Sequence, residues 1–398
     1  MNTKLYFTTF LLTLTVSTYA DYWTQKADLP GIGRADGCGF AIGSKGYIGT
    51  GFTSGYTKDW YEYDPSTNSW LQKADYGGQP SVENSSFTIG NYGYIFPAPT
   101  GLDFWQFDPI ANTWTQQASF LGQQRQAAVS WSINGKGYIC SGASSSLGTS
   151  MDDLWEYDPL ANTWAQKTSL PGTARHYAAG FFVGGKGYIG TGYSTVTGGS
   201  LSDFWEWDQQ SDTWTQKTSF PGGPRWEATG FNIGNYGYMG TGYNPSPTSM
   251  IWKYDPLTDS WTPIAVFGGG VRVENVSFSI GNLGYLGTGW DGVNFRFDFW
   301  EYHPEDSTTS VNELQVSSFG LQVYPNPASE YAVISLQPTA GKNIGITITD
   351  VMGKKVYVAH LETKASSFQL PISNFPGGIY LIEVTNGKEK AVKKFLKE

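Results

Sequence analysis

Asp153–Tyr193, DLWEYDPLANTWAQKTSLPGTARHYAAGFFVGGKGYIGTGY, is one full copy of a unit that the chain repeats six times. Its parts are an aromatic strand, Asp-Pro, a Trp strand, Pro-Gly with Arg, and Gly-Tyr-Ile-Gly-Thr-Gly. The Tyr of Gly-Tyr recurs at Tyr47, Tyr94, Tyr138, Tyr188, Tyr238 and Tyr285. The Trp strand recurs at Trp23, Trp70, Trp114, Trp164, Trp214 and Trp261, and the aromatic strand ends at Pro65, Pro109, Pro159, Gln209, Pro256 and Pro304. A period of roughly fifty residues made of four strand-like pieces predicts small sheets arranged around an axis. The three series are out of phase. The Trp23 strand precedes the first Arg-to-Gly-Tyr segment, and DFWEYHP from Asp298 is followed by no Trp strand. A closed ring explains both ends at once: the Trp23 strand completes the last sheet and leaves no open edge.

At each landmark the unit resembles the kelch repeat. Arg opens the innermost strand a, Gly-Tyr and the glycine pair lie on strand b, the aromatic strand is c and the Trp strand is d. Kelch units usually carry adjacent glycines, whereas here Thr191 separates Gly190 from Gly192. The resemblance implies an all-β fold, a six-bladed propeller over residues 21–304. Composition agrees, with aromatics at 16%, 50 glycines and only 15% charged residues, as suits many short strands, tight turns and stacked rings.

Residues 1–20 read as a signal peptide: Lys4, the apolar run Leu5–Val16, then Thr18-Tyr19-Ala20 as a small-residue cleavage site. That run is too short to span a membrane, so no transmembrane segment is expected. Cys38 and Cys140 fall on different, non-neighbouring blades and are expected to be unbridged apolar fillers. Residues 305–318 (EDSTTSVNELQVSS) read as a linker. Beyond them the charge changes sign: 16 Lys and Arg against 28 Asp and Glu give −12 for residues 1–318. Residues 319–398 hold 9 against 6, or +3, which together make the formal −9.

Residues 319–398 resemble the C-terminal sorting domain of type IX secretion in Gram-negative bacteria. The matching stretches are Val323–Ala328 (VYPNPA), Ile348–Val356 (ITDVMGKKV), Gly377–Val384 (GGIYLIEV) and Lys393-Lys394-Phe395. The resemblance implies a small β-sandwich that engages the secretion machinery and carries cargo across the outer membrane. The product is then secreted or attached to the outer surface.

Function is expected on the propeller face formed by the b–c and d–a loops. The a–b and c–d turns of the other face are short and regular, whereas Ser144–Asp152 and Ser194–Ser202 are long. Twelve residues before each Gly of Gly-Tyr stand Arg34, Ser81, Arg125, Arg175, Arg225 and Arg272. Two positions on come Asp36, Glu83, Ala127, Tyr177, Glu227 and Glu274. Two readings compete: each arginine pairs with a nearby acid and ties blades together, or the ring grips a ligand carboxylate. Kelch domains that capture acidic peptides carry arginines at this point of the repeat. Arg125 and Arg175, facing Ala127 and Tyr177, are expected to lack partners, so their alanine variants should lose ligand and keep stability. With them, His176, Tyr177, Trp226 and Trp290 make the candidate ligand-binding set for a glycan or an acidic peptide or protein, alongside Arg34, Arg225 and Arg272. Phe52, Tyr193 and Tyr243 stand at the same point of the b–c loops as Trp290. Blade 2, with Ser81 and Phe96-Pro97-Ala98, is expected to form one wall of an asymmetric cleft.

Catalytic signals are weak. His176, His303 and His360 are scattered, and no metal spacing, nucleophile elbow, phosphate loop or cofactor motif occurs. The acidic propeller lacks the basic stripe of a nucleic-acid binder. The surviving enzymatic reading is a sugar-ring mutarotase, because the resemblance extends to kelch propellers with that activity. Glu227 with Arg225, or Glu274 with Arg272, would supply acid/base and clamp.

Overall fold

The alternation of large and small residues in these strands builds sheets that bury both faces against neighbours. The computed structural model describes residues 21–96, 98, 101–144, 148–304, 320–324, 330–337, 344–350, 354–361, 367–385 and 390–397. The expected signal peptide, the expected linker and Pro97 lie outside these residues. The chain divides into two units, 1–305 and 306–398.

The first unit is a six-bladed propeller. Blade 1 orders Cys38–Ile42, Lys45–Gly49, Trp60–Asp64 and Ser69–Lys73 from inside to outside, and the next four blades repeat this up-and-down order. Blade 6 takes Val276–Ile280, Leu283–Gly287 and Phe299–His303, and its outermost strand is Tyr22–Gln25. Tyr22 pairs with His303 and Gln25 with Trp300, so the first and last propeller strands share one sheet. Among the described residues, both cysteines are free and buried.

Each recurring residue has a contact that explains it. The Gly of Gly-Tyr admits an aromatic ring from strand a of the preceding blade. A Cβ on Gly137 would meet Phe87 at 2.1 Å, and one on Gly46 would meet Phe278 of blade 6 at 2.4 Å. The strand-d Trp donates its indole N–H to a carbonyl of the preceding blade: Trp164 to Ala118 at 3.1 Å, Trp214 to Thr168 at 2.8 Å. Trp23 does the same to Ala265 at 3.1 Å and seals the ring. Turn residues reach across too, as Asn162 Oδ1 accepts from the Ala118 amide at 2.9 Å.

The arginines do not open strand a. Each lies four residues before it, in the d–a loop, where Arg175, Arg225 and Arg272 pair with the b–c loop of the preceding blade at Met151, Leu201 and Thr248, whereas Arg125 pairs with Ser144 of its own blade. The following residue bridges the b–c loop of its own blade, as His176 does Tyr193. These bridges add a second layer to the loop face.

The second unit is a β-sandwich. One sheet holds Gly320–Tyr324, Tyr331–Gln337 and Ser367–Pro371. The other orders Lys355–Leu361, Ile344–Asp350, Gly378–Thr385 and Lys390–Lys397. Ile334 and Leu370 of the first sheet share one core with Ile346, Ile348, Ile382 and Phe395 of the second.

Candidate functional site

The arginines prove to be internal clamps. Arg175 Nη1 and Nη2 donate to the two carboxylate oxygens of Asp203 at 2.9 and 2.6 Å, and Nη1 also reaches the Thr191 carbonyl at 3.1 Å. Arg125 grips Asp153 at 2.6 and 2.7 Å, Arg34 grips Asp59 at 2.8 and 2.6 Å, and Arg272 grips Asp298 at 2.7 and 3.1 Å. These four are at most 1% exposed. The expectation that Arg125 and Arg175 lack partners is therefore corrected. Their acid is not the residue two positions on but the Asp just before strand c, 28 residues downstream. The Thr of Gly-Thr-Gly belongs to the same device. Thr191 takes φ +61°, unusual for a β-branched residue, and its carbonyl meets the arginine.

The residue two positions after each arginine turns instead toward the propeller axis. Asp36, Glu83, Ala127, Tyr177, Glu227 and Glu274 all hold left-handed backbone, with φ between +52° and +56°. Their backbones link around the axis. The Asp36 amide donates to the Glu274 carbonyl at 3.1 Å, Glu83 to Asp36 at 3.0 Å, Ala127 to Glu83 at 3.3 Å, Tyr177 to Ala127 at 3.0 Å and Glu227 to Tyr177 at 2.9 Å. The strained φ is thus held by a run of bonds between blades. Together with Asn84 and Asn275 these residues line an axial cavity of about 120 Å³. The far end of the axis opens into a larger cavity of about 440 Å³ among Phe40, Phe87, Trp131, Phe182, Phe231 and Phe278.

Four carboxyl groups crowd the small mouth, and all four are pushed above the usual carboxylate range. Burial does most for Asp36, with Glu274 and Glu83 adding repulsion. Burial raises Glu83, opposed by a 2.6 Å hydrogen bond from the Tyr177 hydroxyl. Burial, then Glu274 and Asp36, push Glu227 up to about 10. Burial raises Glu274, which its hydrogen bond with Glu227 moderates. Burial and the neighbouring carboxylates thus favour the protonated form of Glu227 beside Glu274. Glu83 Oε2 and Asn275 Oδ1 are buried acceptors that no protein group satisfies.

The sign for stability follows. A carboxyl whose folded pKa is raised stabilises most below its ordinary pKa of about 4.5, and loses that contribution as pH climbs toward the folded value. Melting temperature should accordingly fall from pH 5 to pH 9, and Glu227→Gln should flatten the decline. An unchanged slope in Glu227→Gln would remove this account.

Aromatic rings run outward from the mouth over blades 4 and 5. Tyr177 meets Trp226 at 5.5 Å and His176 at 5.0 Å, while Trp226 meets Tyr243 at 5.5 Å and Tyr193 at 6.3 Å. Burial holds His176 below its ordinary pKa, so it is neutral near pH 7, and its Nδ1 lies 2.9 Å from Ser150 Oγ. Trp290 sits on blade 6, its backbone bridging Val273 and Phe295. Phe52 packs on Phe295 at 5.6 Å. In blade 2, Ser81 is buried and accepts from Asn84 at 2.8 Å, and Phe96 is buried against Phe120 at 4.9 Å. Among the described residues no group of three or more His, Cys, Asp or Glu could hold a metal ion, and no helix is long and apolar enough to cross a membrane.

The fold and sorting domain define a class: a six-bladed propeller carried out of the cell. Residues 322–398 match the family described as secretion system C-terminal sorting domain. The protein is therefore exported by type IX secretion and is secreted or attached to the outer-membrane surface. The solved structure titled "Structure of YjhT" is similar in fold, with a TM-score of 0.58 and 17% identity over 69% of this chain and 96% of that one. No curated protein is significantly similar in sequence.

Proposed function

We propose that this exported protein is a binding propeller of the kelch kind and holds a glycan on its d–a/b–c loop face. The carrying observation is the adjacency of the His176–Tyr177–Trp226–Tyr193–Tyr243 rings to a mouth with two unsatisfied acceptors, Glu83 Oε2 and Asn275 Oδ1. Flat rings suit the apolar face of a sugar, and its hydroxyls suit carboxyl groups that both donate and accept. An acidic peptide is less well served, since Arg34, Arg125, Arg175 and Arg272 already hold carboxylates of the chain itself.

The mutarotase-type reading keeps one supporting observation. Glu227 and Glu274 lie together with Glu227 favoured in its protonated form, the arrangement that a general acid beside a general base needs. The clamp role for Arg272 lacks support because its guanidinium is taken by Asp298 and the Thr288 carbonyl.

A glycan array probed with the full chain tests binding. A saturable hit should weaken roughly tenfold or more in Trp226→Ala. Absence of any hit, or a hit indifferent to Trp226→Ala, overturns the binding reading. NMR of anomer exchange on the same sugar decides the alternative, which requires acceleration by wild type and its loss in Glu227→Gln.

A further inference from the structure

Blade 5 has the arginine of the clamp without its acid. In blades 3, 4 and 6 one carboxylate oxygen receives two donors. Asp203 Oδ2 accepts from Arg175 Nη2 at 2.6 Å and from the Trp205 indole at 2.6 Å. Asp153 Oδ2 serves Arg125 at 2.7 Å and Trp155 at 2.6 Å, and Asp298 Oδ2 serves Arg272 at 3.1 Å and Trp300 at 2.7 Å. Blade 5 keeps both donors, as Arg225 and Trp252, but carries Met250 in place of the Asp. Trp252 pairs with Met239 as Trp205 pairs with Ile189, so the indole occupies the same place in its sheet.

Neither donor finds a substitute acid. Arg225 is 6% exposed, and its acceptors are the carbonyls of Thr241 at 2.9 Å, Gly223 at 3.4 Å and Gly222. The Trp252 indole N–H is buried and has no partner among the described residues. A guanidinium withdrawn from water without a counter-ion is costly, and so is an unmade indole hydrogen bond. Blade 2 is the inverse case. Ser81 stands for the arginine, and Asp103 Oδ2 still takes the Trp105 indole at 2.6 Å. The indole–carboxylate contact therefore does not depend on the arginine.

We propose that Arg225 and Trp252 form a binding site for one carboxylate group of an external ligand, seated where the other blades place their Asp. The place lies near the surface: the side chains of Asp153, Asp203 and Asp298 are 18–24% exposed and Met250, whose side chain a ligand would displace, is 45% exposed. The planar fork of the guanidinium selects a carboxylate, the group the equivalent positions already hold. The carrier is an acidic sugar or an acidic peptide side chain. This site stands apart from the axial mouth and does not need the mouth to bind a sugar.

Proton–nitrogen NMR of the tryptophan indoles in the full chain tests it, with sodium acetate as probe, sodium chloride at matched ionic strength as control and Trp252→Phe for assignment. The Trp252 signal should shift saturably with acetate and not with chloride. In Met250→Asp it should be shifted already, acetate should move it no further, and melting temperature should rise by roughly 2 °C. A wild-type Trp252 signal that ignores acetate, or one that moves equally in Met250→Asp, overturns the proposal. Competition by glucuronate against N-acetylglutamate then names the carrier, the stronger competitor being the class bound. Neutral-glycan binding at the mouth should survive Met250→Asp, so the two sites fail separately.

Discussion

Arg175→Ala should lower the melting temperature of the propeller by roughly 6–12 °C. Arg175 is fully buried and bonds both oxygens of Asp203 and the Thr191 carbonyl. Removing it strands an acid and a carbonyl together. Breaking a buried ion pair costs about 3–5 kcal/mol, and the 24% exposure of Asp203 argues for the lower end. At roughly 2–4 °C per kcal/mol for a domain near this size, that gives the stated range. Burial alone would raise the Asp203 pKa, but the Arg175 hydrogen bond and charge outweigh it and hold the carboxyl below its ordinary value. The stabilisation is thus present above about pH 4 and lost as pH falls through the folded pKa. Arg125→Ala should behave alike, whereas Arg225→Ala strands no carboxylate and should melt closer to wild type. Equal melts for Arg175→Ala and Arg225→Ala would show that the carboxylate contributes nothing.

Deleting residues 21–25 should be still more damaging, and in a different way. The segment supplies the outer strand of blade 6, and Trp23 packs on Phe267 at 5.1 Å and Tyr302 at 5.0 Å while bonding Ala265. Truncating a fully buried Trp costs about 3–5 kcal/mol; Trp23 is half-buried and contributes less, but here the strand pairing goes as well. The edge Phe299–His303 would then face solvent and invite pairing with another molecule. Light scattering should show concentration-dependent oligomers for the deletion and monomers for Trp214→Ala, which removes a comparable indole and opens no edge. A monomeric deletion variant with a wild-type melt contradicts the closure account.

The propeller was legible because its landmarks are contacts repeated with the unit. Gly46 and its equivalents admit a neighbouring ring, and the strand-d Trp residues bond the blade before them, so each had to recur. Closure was legible from the phase offset at Trp23. The arginine ring was legible as a ring but its partner was misplaced. Adjacent position suggested Asp36, Glu227 and Glu274, yet the left-handed backbone at those residues turns them to the axis. The true partner was visible in the repeats as the Asp before WYEYD, LWEYD, FWEWD and FWEYH. It turns to Met only before IWKYD. No local pattern announces the crowding of Glu227 against Glu274, because it depends on side chains brought together only when the ring closes.

The amide-to-carbonyl bonds around the axis have a consequence for the electric field there. At a helix end, peptide dipoles align and leave a fixed partial charge. Around this axis the five bonds from Glu274 through Asp36 to Glu227 run head to tail in one rotational sense, and dipoles set tangentially on a nearly complete circle largely cancel, leaving about one bond's worth. The backbone thus shapes the opening while polarising it little. Its charge preference is written mainly by six side chains, and exchanging those side chains retunes what the opening attracts while the scaffold stays as it is.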